Sequence, residues 1–416
     1  MPMFLLQLAI VILACHACGH VAERIGQCRV VGEITAGILL GPSVLGVLHP
    51  GIHDVIFPAS SASSMSQLGE VGIVLLMFEI GMHIQPPDRR AGAGLRLPGL
   101  IAALGLVMPF VLGVLVAIGS KDALASGVPG VPYVLFCGVA LGVSAVPVMA
   151  RIVIDLGLDR NPLARTALSA AMLTDVAGWV LLAVVASIAH PRNGALGLAL
   201  ALGGIGLYSI GCVLVTRYAV RPMLIRAAQR DDMRAVFTIV TCHVLISAGI
   251  TASLGFHSAF GALLPGMLLR GIPAVREQWD KWFGGFIRTV LMPVFFSYAG
   301  LHTSISSIDG ASAWLWLCVF LGAGFAGKFG GSYLAARICG LRSGDAAFLG
   351  SLMNARGLME LIVLSIGLQL GILPPKVYTM LVLFALVTTA MTTPLVRYHM
   401  RAGNQPLADP QRKPAA

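Results

Sequence analysis

Asp175 is the only charged side chain between Ala167 and Ala189. It stands in Ser169-Ala-Ala-Met-Leu-Thr174-Asp175-Val-Ala-Gly178-Trp179, a run otherwise apolar, small or hydroxylic. An ionised Asp in hydrocarbon costs at least ~2.5–3.5 kcal/mol, so an acid at that depth points to an ion or proton path. The plainer alternative is a carboxyl held protonated, or hydrogen-bonded for packing. A second intramembrane charge, Lys328 in Gly327-Lys328-Phe-Gly330-Gly331, favours the functional reading. Thr174 and Ser144 add hydroxyl oxygens, the hard ligands that a monovalent cation such as Na+ or K+ takes beside a carboxylate. A buried acid that holds either a proton or a cation, and never both, suffices for exchange once access to it alternates between the two faces.

Such a site needs a membrane-spanning frame, and the composition supplies one. Of 416 residues, 57% are hydrophobic and 11% charged, with a mean hydropathy of +0.87. That excludes an ordinary soluble domain and implies an all-α polytopic membrane protein. The net charge of +10 is spread over short loops, which argues against nucleic acid as a partner. Eight cysteines sit mostly in apolar segments without a paired CxxC pattern, so reduced, packed thiols are expected. His16 and His20 beside Cys15 and Cys18 match metal spacing only loosely and are discounted. No P-loop, HExxH or nucleophile elbow is present, so neither an enzyme nor a cofactor is expected.

About thirteen apolar segments can be drawn: 2–22, 30–48, 66–84, 97–119, 133–157, 162–189, 196–224, 233–253, 257–271, 283–303, 313–339, 344–371 and 375–399. The first lacks a basic leader and reads as a retained helix. Loops after odd-numbered segments together with the segment ends that flank them, and the tail, hold 23 Lys and Arg, counting Arg151, which falls within a helix end; those after even-numbered segments hold 3. The N-terminus is therefore expected outside and the C-terminus in the cytoplasm. The tail 400–416, rich in Pro and polar residues, is expected to be disordered.

Patterns recur at a constant offset of seven segments. Ala36-Gly-Ile-Leu-Leu-Gly41-Pro42 answers Gly261-Ala-Leu-Leu-Pro265-Gly266, and Phe78-Glu79-Ile-Gly81-Met-His83 answers Phe296-Ser-Tyr-Ala-Gly300-Leu-His302. The fifth and twelfth segments both carry a breaker at mid-length and end alike, Ile154-Asp155-Leu-Gly157 against Leu364-Ser365-Ile-Gly367. An odd offset inverts the copy. The expected architecture is inverted six-helix repeats, about 2–189 and 233–399, joined by a linker helix at about 196–224, within one transmembrane domain 1–399.

The expected interruptions are Gly142-Val-Ser144-Ala-Val-Pro147 and Asn354-Ala-Arg356-Gly357. Proline removes a backbone donor and glycine permits unwinding, although Pro147 alone could be a simple kink. Asp175 is read as compensating the carbonyl-rich broken ends while coordinating the cation. Arg356 and Glu360, four apart, are read as an ion pair holding the twelfth helix rather than as direct ion ligands. Glu33 and Glu70 lie near segment ends and read as capping or interfacial groups. Glu79 is deeper and is held as a secondary proton site. His243 reads as a hydrogen-bonded core histidine.

Four stretches together carry a family resemblance: Val31-Gly-Glu33-Ile-Thr-Ala-Gly37-Ile-Leu-Leu-Gly-Pro42, Gly255-Phe-His257-Ser-Ala-Phe-Gly261-Ala, Met292-Pro-Val-Phe-Phe296-Ser-Tyr-Ala-Gly300-Leu and Met353-Asn-Ala-Arg356-Gly-Leu-Met-Glu360-Leu. From about residue 4 to 398 the chain resembles the monovalent cation:proton antiporter-2 family, most closely the plant-type cation/proton exchangers and their bacterial sodium/potassium–proton relatives. The resemblance implies a six-helix core with two crossed discontinuous helices, a separate dimerisation domain, a homodimer and elevator-like movement. It implies that Asp175 binds the ion and the proton, and that Lys328 is its basic partner near the crossing. It also implies residence in a bacterial inner membrane and a role in pH homeostasis.

Two departures matter. The position before the key Asp is often Asp or Asn in the family and is Thr174 here, which points to one-for-one, electroneutral exchange and leaves the partner of Lys328 open. A nucleotide-binding domain, present after the last helix in the potassium-efflux branch, is not expected. Two other readings stand beside exchange of a monovalent cation for protons. One is a channel-like or sensory protein on the same fold, and the other is a sodium-coupled symporter of an organic anion. The core offers only small polar groups, which favours a bare ion.

Overall fold

The computed structural model describes residues 2–58, 62–83, 96–144, 146–158, 160–189, 194–254, 258–301, 303, 305 and 308–402. His302, Gly255–His257, the loop residues Arg89, Arg90 and Arg192, and residues 403–416 of the expected tail lie outside these. Among the described residues every regular element is helical.

In chain order the helices are α1 (Pro2–Arg24), α2 (Arg29–Leu40), α3 (Leu45–Leu48), α4 (Pro50–Ile56), α5 (Ala62–His83), α6 (Arg96–Leu124), α7 (Gly130–Gly142), α8 (Val146–Asp155) and α9 (Pro162–Ala189). Then α10 (Gly194–Val215) runs through a π turn (Thr216–Val220) into α11 (Arg221–Gln229). There follow α12 (Met233–Ser253), α13 (Ser258–Leu269), α14 (Pro273–Trp279), two π turns (Asp280–Gly284 and Ile287–Leu291), α15 (Met292–Leu301), α16 (Gly310–Ile338), α17 (Ser343–Met353), α18 (Leu358–Gln369) and α19 (Pro375–Ala402). Among the described residues nine helices are long and apolar enough to cross a bilayer, and Ser258–Leu269 and Ile287–Tyr298 are shorter apolar helices. With α9 and the α17–α18 pair, they fill all thirteen expected segments.

Packing respects the pairing of segments seven apart: exchanging each segment for its copy turns a contact of the second with the tenth into one of the ninth with the third. The second segment packs on the tenth, as α2 on α15, and the third on the ninth, as α5 on α13. Small residues allow both approaches. Gly37 lies against the Ser297 backbone and Gly300 against Ile34; Gly81 and Gly266 face each other across the other pair. A side chain at any of the four would overlap backbone, so the glycines are the condition for close contact. The fourth and eleventh segments, α6 and α16, pack directly on each other. Gly331 meets Leu104 while Gly327 meets Pro109, so one chain rises as the other falls and the two helices are antiparallel. Two copies related by an axis in the membrane plane give this order of contacts.

The fifth and twelfth segments are interrupted, between α7 and α8 and between α17 and α18. Proline explains the first break. Pro147 has no N–H for the carbonyl of Val143 four residues earlier, and it disfavours helical backbone at the residue before it. It instead sits at the second position of α8, where its missing donor costs nothing. The second break is a short non-helical stretch, Ala355–Gly357. Gly357 lies so close to Val148 that a Cβ would overlap it, which fixes α8 against the second break.

Candidate functional site

The first break leaves a helix C-terminus whose last carbonyls have no intrahelical donor. Two buried cations supply the bonds. Lys328 Nζ donates to Gly142 O at 2.5 Å. Arg356 Nη1 donates to Ala140 O at 3.1 Å and toward Val143 O at 3.4 Å, and Nη2 donates to Leu141 O at 2.5 Å. Both side chains are fully buried. Four consecutive carbonyls thus meet two positive charges at the negative end of the α7 dipole. The Val143 carbonyl that Pro147 orphaned is among them.

Asp175 stands at the other side of the gap. Its carboxylate faces the backbone N–H of Val146, the first residue of α8, and lies within the field of Lys328. This corrects the expectation that Asp175 compensates carbonyl-rich ends. The carbonyls go to Lys328 and Arg356, and the carboxylate takes the amide end, as the sign of a helix N-terminus demands. It also answers what Lys328 pairs with: a main-chain oxygen.

The expected oxygen ligands converge on the same place. The Thr174 hydroxyl lies 3.2 Å from Ser144 Oγ and 2.8 Å from Ala171 O. Ser144 and Thr174 are fully buried, and Asp175 is 6% exposed. Among the described residues Asp175 Oδ1 has no hydrogen-bond partner. A buried polar atom left bare is costly, and this carboxylate oxygen stands next in the chain to Thr174, whose hydroxyl pairs with Ser144 at the break. Gly178, one turn past Asp175, packs against Val143 so closely that a Cβ would overlap it, which holds α9 onto the break.

Arg356 lies in the second break itself, within the interruption expected from the sequence. Its guanidinium is 3.6 Å from Glu360 Oε2 in the first turn of α18 and 4.3 Å from the centre of the Phe384 ring. The break is closed by Thr389 of α19. The Thr389 hydroxyl oxygen accepts from Arg356 N at 2.9 Å, and the hydroxyl donates to Arg356 O at 2.6 Å. Asn354 caps α17; its buried amide has neither oxygen nor nitrogen paired. Glu79 is not drawn into this site. It forms a 2.8 Å pair with Arg288, on the π turn before α15. His243 is hydrogen-bonded to Thr216 at 2.9 Å.

Sequence reasoning missed Thr389 and Phe384. The available signal was Thr388-Thr389 and Thr392-Thr393 in the thirteenth segment, the inverted counterpart of the one carrying Thr174-Asp175. It also missed that Arg356, from the second repeat, serves the first repeat's carbonyls.

A buried acid at a broken helix within an inverted helical frame is a carrier's arrangement, and comparison with known proteins gives it a family. The profile of the transmembrane sodium/hydrogen exchanger family matches residues 9–398. The chain belongs to the sodium/hydrogen exchanger family. The Na(+)/H(+) antiporter NhaS4 of Synechocystis sp. is 33% identical over 397 residues, covering 95% of this chain and 96% of that protein. Cation/H(+) antiporter 17 of Arabidopsis thaliana is 32% identical, over 95% of this chain and 48% of its own length. The K(+)/H(+) antiporter 1 of Saccharomyces cerevisiae is 28% identical, over 95% and 46%. The chain thus spans about half the length of these plant and yeast relatives. The solved sodium proton antiporter MjNhaP1 from Methanocaldococcus jannaschii, at pH 8, shares the exchanger fold with a TM-score of 0.65. It is 13% identical and covers 97% of each chain.

Proposed function

We propose that the chain exchanges a monovalent cation, Na+ or K+, for protons across the membrane by alternating access, with Asp175 as the shared site. The observation that carries this reading is the buried, unpartnered Asp175 oxygen at the amide end of α8, where the adjoining Thr174 hydroxyl meets Ser144 of the break. The relatives' names, sodium, potassium and general cation antiporters, support the class of reaction and leave both ions in play.

The charges of the core explain how two passengers can alternate. Asp175, Lys328, Arg356 and Glu360 act on one another as a single buried network. Fully ionised, it is neutral. Adding a proton to Asp175 or a monovalent cation beside it leaves the same single positive charge. The two loaded states therefore carry the same charge through the membrane, which supports one-for-one exchange. Lys328 and Arg356 hold the carbonyl end, so the cation need not; Asp175, Ser144 and Thr174 receive it. Asn354 and Gly357, with Pro147, keep the two helices open where they cross.

The same reading includes the larger architecture. The core carries the α7–α8 and α17–α18 crossing and moves against the α2, α5, α13 and α15 bundle. The repeats run from about 2 to 189 and from about 233 to 399, with the linker at about 196–224. The working unit is a homodimer in a bacterial inner membrane, with the N-terminus outside. The loop charge asymmetry supports the orientation. Neither the channel-like reading nor the organic-anion symporter draws support from the relatives or from the small polar core.

Proteoliposomes with an internal pH dye test the reading. Addition of Na+ or K+ outside should move protons across the membrane, and Asp175→Asn should abolish the response. Exchange that survives this substitution contradicts the site; a saturation-free uncoupled current contradicts the carrier.

A further inference from the structure

A second charged cluster lies away from Asp175, where α2 meets the far end of α8. Glu33 of α2 is buried, 3% exposed, and among the described residues its Oε2 has no hydrogen-bond partner. The groups facing it are Cys15 and Glu23 of α1, Arg29 of its own helix, and Arg151 and Asp155 of α8. α15 brings no charged residue and offers the Met292 thioether to Arg151. α3 has no titratable side chain, and Arg397 of α19 lies beside Gly26 before α2 begins.

The cations here are already engaged. Arg29 grips Glu23 through Nε–Oε1 at 2.5 Å and Nη2–Oε2 at 3.2 Å. Arg151 Nε pairs with Asp155 at 2.9 Å. Three carboxylates therefore face two guanidiniums, and the one left over is the deeply buried one. An unpaired ionised carboxylate in such a place is expensive, and a proton removes the cost.

We propose that Glu33 is a second proton-binding carboxylate, whose protonation sets how firmly the far end of α8 is held against α2. The proposal rests on the exchange reading above for its consequence, and on this cluster alone for its site. α8 is a ten-residue rod, about 15 Å long, with its first amide on Asp175 and its last turn facing Glu33. Ionised Glu33 adds a second acid for Arg151 and draws α8 to α2. Protonated Glu33 leaves Arg151 to Asp155 and loosens that contact. Protons at this cluster thus ease movement of the helix that carries the transport site's amide.

Two measurements on the purified full-length chain test this. In pH-difference infrared spectra, a buried protonated-carboxyl band that persists in Asp175→Asn should vanish in Glu33→Gln; superimposable spectra of parent and Glu33→Gln overturn the site. If Glu33→Gln does not fold, Arg151→Gln serves, since losing the cation should move that band's titration to higher pH, and an unmoved titration overturns the site. In proteoliposomes, Glu33→Gln, which mimics the protonated state, should keep exchange and run severalfold faster than the parent at the alkaline end, flattening the pH profile. A profile identical to the parent's overturns the coupling. A parent that shows no exchange would count against the exchange reading, while the infrared test of Glu33 would still stand.

Discussion

At the first break α7 ends on four carbonyls held by Lys328 and Arg356, and α8 begins on an amide held by Asp175. At the second break, α17 and α18 are bridged by one neutral side chain, Thr389, which bonds both the N–H and the carbonyl of Arg356. The two segments occupy equivalent places in the repeats, yet the charge has gathered at one of them. A charged closure costs desolvation and responds to added charge; a hydroxyl closure does neither. On the proposed reading, the difference makes one break the site and the other its frame, with Arg356 reaching from the frame to the carbonyls of the first break.

The strongest way to break this comparison is to remove the shared element. Arg356→Met strips three carbonyls and leaves Glu360 as an uncompensated buried acid, and losing one partner of a buried pair costs about 3–5 kcal/mol. The thermal midpoint in detergent should fall by more than for any other variant here, and Glu360→Gln in the same chain should restore part of it. Next is Lys328→Met, which strands the Gly142 carbonyl at roughly 2 kcal/mol and removes the cation facing Asp175. It should weaken both stability and exchange. Thr389→Val should cost about 1–2 kcal/mol by leaving two main-chain groups unpaired. Its exchange should keep the parent's apparent cation affinity, because the frame carries no ligand. Thr174→Val should do the reverse: little loss of stability, and a cation affinity lowered about tenfold, equivalent to ~1.4 kcal/mol. Equal cation affinities in the Thr389 and Thr174 variants would erase the distinction between frame and site. Smallest of all is Arg288→Gln, which removes the half-exposed cation paired with the buried Glu79 but keeps an amide donor for it, and should shift stability by about 1 kcal/mol.

Much of this was legible in the chain. Hydropathy located the thirteen segments, since a spanning helix must be apolar over its full length. Pro147 marked the first break because it cannot donate to Val143. An isolated acid, Asp175, identified itself by its cost in hydrocarbon. What stayed hidden depends on contacts between distant segments. The sequence shows that Lys328 is buried and says nothing of the Gly142 carbonyl 186 positions away. Arg356 and Glu360 look like an intrahelical pair at a spacing of four, and only the unwound backbone lets Arg356 turn toward α7. Glu33 looked like an end-of-helix group because its depth is set by α1, α8 and α15 closing over it.

The central claim is that one acid accepts a proton and a cation in turn. Proton release from the purified chain in weakly buffered detergent solution, on addition of Na+ or K+ at a series of pH values, tests it most directly. The account predicts cation-driven release from the parent that is absent in Asp175→Asn. On the acid side, where the proton must first be displaced, apparent cation affinity should fall about tenfold per pH unit. Release that is unchanged by the substitution, or a cation affinity independent of pH, would contradict it.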